Sequence, residues 1–357
     1  MLLEIICAGA AGYQIFAIVA CIAFKRQSPS ASSSSVPAVS ILKPVHGVEP
    51  SMREAIASHA NLAGDYEFLC GMRDGDPAAQ VIAQFPKARI VEAKTQTRNA
   101  KVGVMIDLAR AAKNPVLIVN DADIRVEPNY IQRVTAPLTD ETVGLVTCLY
   151  RAEGSTFAAR FESLGIATDF APSTLVARLV GVDEFAMGST MAFRRETLER
   201  IGGFEAIADY LADDYQLGQR VHALGLKCVL SDVIVTTYLG GTLHDVWLHQ
   251  VRWARTIRVS NFWGYLGLPV TFASVWAAVA LLSGKYELAA AVLACRFAMA
   301  IFAGNLVLRS RDAMRLWPLI PLRDLFGAAV WTAGLFGHTV LWRGRRLKLD
   351  ALGRIIP

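Results

Sequence analysis

The sequence contains no G-x-G-x-x-G and no G-x-x-x-x-G-K-[ST], so it brings neither a dinucleotide fingerprint nor a P-loop to cradle phosphates. No C-x-x-C pair occurs among the six cysteines, at 7, 21, 70, 148, 228 and 295, and some of them fall inside apolar segments. That pattern argues against a zinc site or a disulfide framework, and for small buried hydrophobes in a reducing compartment. Charge is also scarce: 19% of residues carry it, and the net charge is only +5. The basic residues gather beside the apolar segments, which points to an anionic membrane surface and away from a nucleic-acid partner.

What is abundant is apolar sequence. The 357 residues are 54% hydrophobic, with a mean hydropathy of +0.37, too apolar for an ordinary soluble enzyme. The length suggests roughly two domains. The apolar excess lies in residues 2–24 and beyond residue 263. Segment 2–24, "LLEIICAGAAGYQIFAIVACIAF", is long enough to cross a bilayer as a helix. It has no basic leader and no small-residue cleavage site, and Lys25–Arg26 follow it, so an uncleaved anchor is expected with the next domain in the cytoplasm. The Ser/Pro stretch "QSPSASSSSVP" (27–37) reads as a linker.

From 38 to about 240 short apolar runs alternate with helical patterns. Strands are expected at 39–45, 66–72, 88–93, 115–121 and 143–150, with helices over 50–62 and 100–112. Such alternation implies a Rossmann-like α/β domain with a mostly parallel sheet, whose ligands bind beyond the carboxyl ends of the strands. At one of those ends stands "VNDADIRV" (119–126). Asp121 and Asp123 point to one side and repel unless solvent or a cation lies between them. A solvated loop would satisfy an isolated pair. A Mg²⁺ or Mn²⁺ ion would give it a chemical task, neutralising a diphosphate where no glycine-rich cradle exists.

Two further patterns matter. "YLADDYQLGQRVHALG" (210–225) puts Asp213 and Asp214 ahead of a helical run; they either serve the helix dipole or supply a base for sugar transfer. "HQVRWARTIRV" (249–259) interleaves arginines with tryptophan. It reads as an interfacial amphipathic helix, and Arg252 in it suits a diphosphate. Beyond it, 263–283 and 287–308 read as a helical hairpin. Arg296 inside the second is expected to face another helix or the acceptor path. A third apolar segment, 325–342, precedes "RGRRLK". A full crossing would carry that basic tail outside against the charge rule, so the segment either re-enters, lies in the interface, or an earlier boundary shifts. The expected division is an anchor over 1–26, a linker over 27–37, the α/β domain over 38–245, an interfacial helix over 246–262, membrane helices over 263–342 and a basic tail over 343–357.

"LKPVHG" (42–47), "RDGDP" (73–77), "NDADIRV", "FAMGSTMAFRRETLERIGGF" (185–204), "LADDYQLG" (211–218) and "RW" (252–253) follow in that order. The series resembles the ceramide glucosyltransferases and their bacterial relatives, including hopanoid-biosynthesis glycosyltransferases, over roughly residues 1–350. These are membrane-bound inverting enzymes with a GT-A domain. The resemblance implies Asp74 near the uridine of the donor, Asp121 and Asp123 on the metal and diphosphate, and Lys101 on the donor side. It implies Asp214 as catalytic base with Asp213 as a neighbouring acid, and Arg252–Trp253 as the end of a [Q/R]-x-x-R-W signature. His249 stands at that signature's first position, with Gln250 one residue late. The implied activity moves a sugar from a UDP-sugar, UDP-glucose by preference, to a lipid hydroxyl such as that of ceramide, on the inner membrane of a bacterium. Alternatives are UDP-N-acetylglucosamine with a hopanoid, a processive polysaccharide synthase, which usually has more membrane helices, and a non-catalytic membrane protein.

Overall fold

Strand–helix alternation builds a seven-stranded sheet from β1 (Val39–Pro44), β2 (Tyr66–Met72), β3 (Ala88–Glu92), β4 (Val116–Val119), β5 (Val143–Gly154), β6 (Met191–Arg194) and β7 (Lys227–Leu239). The structure, a computed structural model, describes residues 1–27, 37–342 and 344–356, so the linker expected at 27–37 falls almost wholly outside the described residues. The strand order is β3-β2-β1-β4-β6-β5-β7. The first four strands are mutually parallel, and β6 runs antiparallel to both β4 and β5. The sheet is therefore mostly parallel with one reversed strand. Its central strands are apolar on both sides because both faces are covered: Ile41, Phe68 and Ile118 enter one core, Leu42, Leu69 and Leu117 the other. The chain order reverses between β1 and β4, which makes their carboxyl ends the expected ligand edge.

Helix Ala100–Ala111 begins at that edge. Asn99 caps it, accepting from the Lys101 and Val102 amides, and also donates to the Tyr210 carbonyl at 2.8 Å. The cap puts Lys101 in the first turn, over the sheet's open end.

Among the described residues two helices are long and apolar enough to cross a membrane, Leu2–Arg26 and Tyr286–Val307. Their amino ends meet, with Lys285 Nζ 2.6 Å from Glu4 Oε1, so the two run in the same direction and end on the α/β domain's side. The segment expected at 263–283 is broken instead: helices Phe262–Thr271 and Ala273–Leu282 meet at a 51° bend. Arg296 is fully buried and pairs with Asp324 at 2.7 Å and Asp169 at 2.5 Å. Charge in an apolar bundle is tolerated only with such partners.

The expectation of a third membrane helix over 325–342 is corrected. Helix Ile320–Gly334 has 15 residues, about 22 Å of rise against a hydrocarbon core of about 30 Å. Gly337 then turns the chain at a φ of 79°, and Thr339–Trp342 (β8) is a strand. The tail is no free basic tail either. Arg345–Leu349 (β9) and Ile355–Ile356 (β10) complete a three-stranded sheet with β8. That sheet docks on the α/β domain, where the Ile355 amide donates to the Asp209 carbonyl at 2.7 Å and the Leu211 amide to the Gly353 carbonyl at 3.2 Å. The conflict with the charge rule therefore dissolves, because the basic tail ends on the same side as the α/β domain. Arg255 and Arg258, on the segment expected to be interfacial, donate to carbonyls of residues 335–339 in this turn.

Candidate active site

The loop after β4 is built before it is functional. Asn120 is fully buried; its amide nitrogen donates to the Ser189 carbonyl at 2.7 Å and the Tyr130 hydroxyl at 2.8 Å, and its oxygen faces His59 Nε2 at 3.3 Å. Lys43, fully buried on β1, donates to the carbonyls of Asp121 (2.8 Å) and Ile124 (3.2 Å). Burial lowers the Lys43 pKa to about 8. These contacts hold the backbone so that the two acids emerge in fixed positions.

Their carboxylates are differently engaged. Asp121 Oδ1 lies 2.8 Å from Lys101 Nζ, with 41% of its side chain exposed. Asp123 accepts a hydrogen bond from the Thr237 hydroxyl. Burial, and then the charge of Asp121, raise the Asp123 pKa. A cation would reverse that effect. Lys101 takes only Oδ1 of Asp121 and the Thr237 hydroxyl only Oδ2 of Asp123, so each carboxylate keeps a hard oxygen with lone pairs to offer Mg²⁺ or Mn²⁺. No group of three or more His, Cys, Asp or Glu is gathered for a metal among the described residues. The donor set therefore fits an ion completed by substrate phosphates and water rather than a closed protein cage.

Lys101 joins this loop to the second pair of acids. It lies 2.8 Å from Asp121 Oδ1 and 2.8 Å from Asp213 Oδ2, and only 11% of its side chain is exposed. Burial alone would depress its pKa, but Asp121, Asp213 and Asp214 outweigh it and hold the ammonium charged above its usual range. Asp213 is buried and serves this lysine. Asp214, in the first turn of helix Asp213–Ala223, accepts from the Gly188 amide at 2.9 Å and the Tyr215 amide at 2.8 Å. Burial first, then the charge of Asp213, push its pKa up to about 6. Gly188 is required here: a Cβ would stand 2.7 Å from Asp121 Oδ2, while its carbonyl accepts from the Asp121 amide at 3.1 Å.

Helix Leu243–Ser260 forms the third wall. His249 Nδ1 is 2.7 Å from Glu162 Oε1, which also accepts from Gln250 at 2.8 Å. Burial would raise the Glu162 pKa, but His249, Gln250 and Arg323 together lower it. The Trp253 ring packs edge-on to His249 at 4.6 Å and against Phe170 at 5.6 Å, and Phe170 reaches Tyr150 at 5.2 Å. The Arg252 guanidinium makes no hydrogen bond or ion pair among the described residues, yet it feels the charges of Asp214, Asp121 and Glu162. A half-buried, unpartnered guanidinium among carboxylates suits an anion.

The structure thus brings Lys101, Asp121, Asp213 and Asp214 together, with Asp123 and Arg252 beside them. Asp74 is not among them. It is exposed on the loop after β2, where the acid with a covered side chain is Asp76, which accepts from the Gly47 and Ala78 amides. Reading the sequence missed Lys43, Asn120, Thr237 and Glu162. Lys43 carried a signal: a lysine inside the apolar strand "SILKP" needs a buried acceptor. Glu162 carried none, since its partners lie over 80 residues away in sequence.

A model of the family described as Glycosyl transferase family 21 matches residues 2–355. Ceramide glucosyltransferase 1 of Caenorhabditis elegans is 27% identical over 208 residues, covering 55% of this chain and 44% of that protein. Ceramide glucosyltransferase 3 of the same organism is 30% identical over 213 residues, 56% of this chain and 45% of that protein. The match thus spans less than half the length of each of these curated relatives. Among solved structures, the mannosyltransferase PcManGT from Pyrobaculum calidifontis, in complex with GDP-Man and Mn²⁺, superimposes with a TM-score of 0.59 over 94% of this chain and 99% of that one, at 19% identity. At that identity the likeness shows the shared fold.

Proposed function

The chain belongs to glycosyl transferase family 21, and from that premise we propose that it moves a sugar from a UDP-sugar to the hydroxyl of a membrane lipid, inverting the anomeric centre. UDP-glucose is the proposed donor and a ceramide-like lipid the proposed acceptor, in keeping with the names of the relatives. The observation that carries the proposal is the lysine bridge: Lys101 ties the D-x-D loop to the Asp213–Asp214 helix start. It supports the reading by holding in one place the groups proposed to bind the diphosphate and to accept the proton.

Asp214 is the proposed base. Its raised pKa of about 6 leaves it ionised near neutrality yet basic enough to accept a proton. The acceptor hydroxyl gives that proton to Asp214, its oxygen bonds to the anomeric carbon, and the bond from that carbon to the β-phosphate oxygen breaks with its electrons leaving on UDP. Arg252 and Lys101 meet the charge that develops on the leaving diphosphate. Held by Asp121 and Asp123, Mg²⁺ or Mn²⁺ would supply Lewis acidity at the same phosphates. Glu162 orients His249, and the row Tyr150–Phe170–Trp253 offers an apolar wall toward the helices that would present the lipid. Anchoring both partners makes the encounter effectively unimolecular.

Asp214→Asn should lower transfer by about 10²–10⁴-fold while UDP binding is retained. Near-normal turnover in that variant would contradict the assignment. Lipid mass spectrometry of a strain lacking the gene, in which one missing glycolipid names sugar and acceptor, separates glucosylceramide from an N-acetylglucosaminyl hopanoid.

A further inference from the structure

A cavity of about 510 Å³ lies between the end of β5 and the segment that follows the Tyr286–Val307 helix, away from the proposed reaction. Arg151 and Arg160 line it from the catalytic domain; Arg309, Arg311 and Arg315 line it from the other side. Its two acids are already engaged: Asp312 with Arg160 at 2.8 Å, and Glu153 with Arg125. Arg151 has only a neutral partner, the Thr236 hydroxyl at 3.0 Å. The exposed side chains of Arg309, Arg311 and Arg315 make no hydrogen bond or ion pair among the described residues. Five guanidinium groups thus share one cavity with two occupied carboxylates, an excess of positive charge that an anion would relieve.

Arg309 adds a second sign. Among the described residues it is the one non-glycine with positive φ, at 52°. Glycine adopts that conformation freely and a side chain does not, so an arginine there is kept against the local preference.

The cavity is not the donor site. Side chains alternate along a strand: Tyr150 faces the aromatic row of the active site, so Arg151, paired in register with Thr236, faces the other way. It does lie at the membrane boundary. The apolar helix ends at Val307, just before Arg309, and Met314 (47% exposed) and Trp317 (53% exposed) follow, the latter a residue type enriched at that depth.

We propose that this cavity binds the phosphate of an anionic phospholipid headgroup, drawn from the leaflet that faces the catalytic domain, with the acyl chains leaving past Met314 and Trp317. Arginine forks match phosphate oxygens, and a basic pocket beside a membrane helix is built for such a headgroup.

The test is native mass spectrometry of the full-length chain in detergent, titrated with short-chain phosphatidylglycerol or phosphatidylcholine. Phosphatidylglycerol should be retained and phosphatidylcholine should not. Arg311→Gln and Arg315→Gln should each weaken retention roughly fivefold, with unchanged melting temperature because neither arginine has a partner to lose. Arg346→Gln, an exposed arginine on β9, should leave retention as it was. Equal retention by the double Arg311→Gln, Arg315→Gln variant would overturn the proposal. So would an equal loss in Arg346→Gln, which would mean diffuse charge. Displacement of the lipid by glycerol 3-phosphate would also overturn it, by making the cavity a soluble phosphate site.

Discussion

Single residues carry the proposed chemistry through their charge states. With its pKa raised to about 6, Asp214 is protonated below that pH and ionised above it. The rate of transfer should therefore fall by about tenfold for each pH unit below 6 and level off above it. Lys101 holds that pKa down, so Lys101→Met should move the acid limb of the pH–rate profile to higher pH, a displacement that loss of packing alone would not produce. Gly188→Ala tests the crowding. A Cβ 2.7 Å from Asp121 Oδ2 must displace that carboxylate, and a misplacement of this order costs about a hundredfold in activity. Turnover should collapse while the melting temperature changes little. The acids themselves were legible in the sequence, because paired carboxylates at a strand end and a helix start are conspicuous against an apolar background. The resemblance already divided Asp213 and Asp214 into a neighbouring acid and a candidate base; what it did not give is that Asp213 is the partner of Lys101. Lys43 and Glu162 act through buried contacts with distant segments, and periodicity does not report those.

Elements were legible in proportion to how regular their patterns are. The five expected strands correspond to β1–β5, and the helices over 50–62 and 100–112 to Met52–Ala60 and Ala100–Ala111. β6 has four residues and lies within a glycine-rich stretch, too short for an alternation to show. In β7, Ser231, Asp232, Thr236 and Thr237 interrupt the apolar run, and its register with β5 shifts between Cys148 and Leu149. The last apolar segment misled because hydropathy does not distinguish a membrane helix from a shorter helix followed by an apolar strand. That strand has structural consequences. Ile355, Val340 and Leu349 bury Leu211, two residues before Asp213, and the tail pins Asp209 and Leu211 by their backbones. Ile355→Ser should cost about 2 kcal/mol by emptying this small core. Hydrogen exchange should then speed at residues 209–214 ahead of the central sheet, and activity should fall in step. Unchanged exchange there would separate the tail from the site.

At the scale of the whole molecule, the sequence already implied a mostly parallel α/β domain tied to membrane helices. Membership of family 21 and the fold shared with PcManGT agree with that architecture. The packing of the apolar helices was not legible, since the 51° break at Phe272 and the buried Arg296–Asp324–Asp169 cluster depend on which helices meet. The central claim concerns the acids at the β4 edge: Asp121 and Asp123 share their charge with a divalent ion and a nucleotide diphosphate. Calorimetric titration of UDP into the full-length protein, with and without Mn²⁺, tests it most directly. Mn²⁺ should tighten UDP binding by at least about tenfold, and Asp123→Asn should erase that gain while leaving the fold intact. UDP affinity that is the same with and without Mn²⁺, and indifferent to Asp123→Asn, would contradict it.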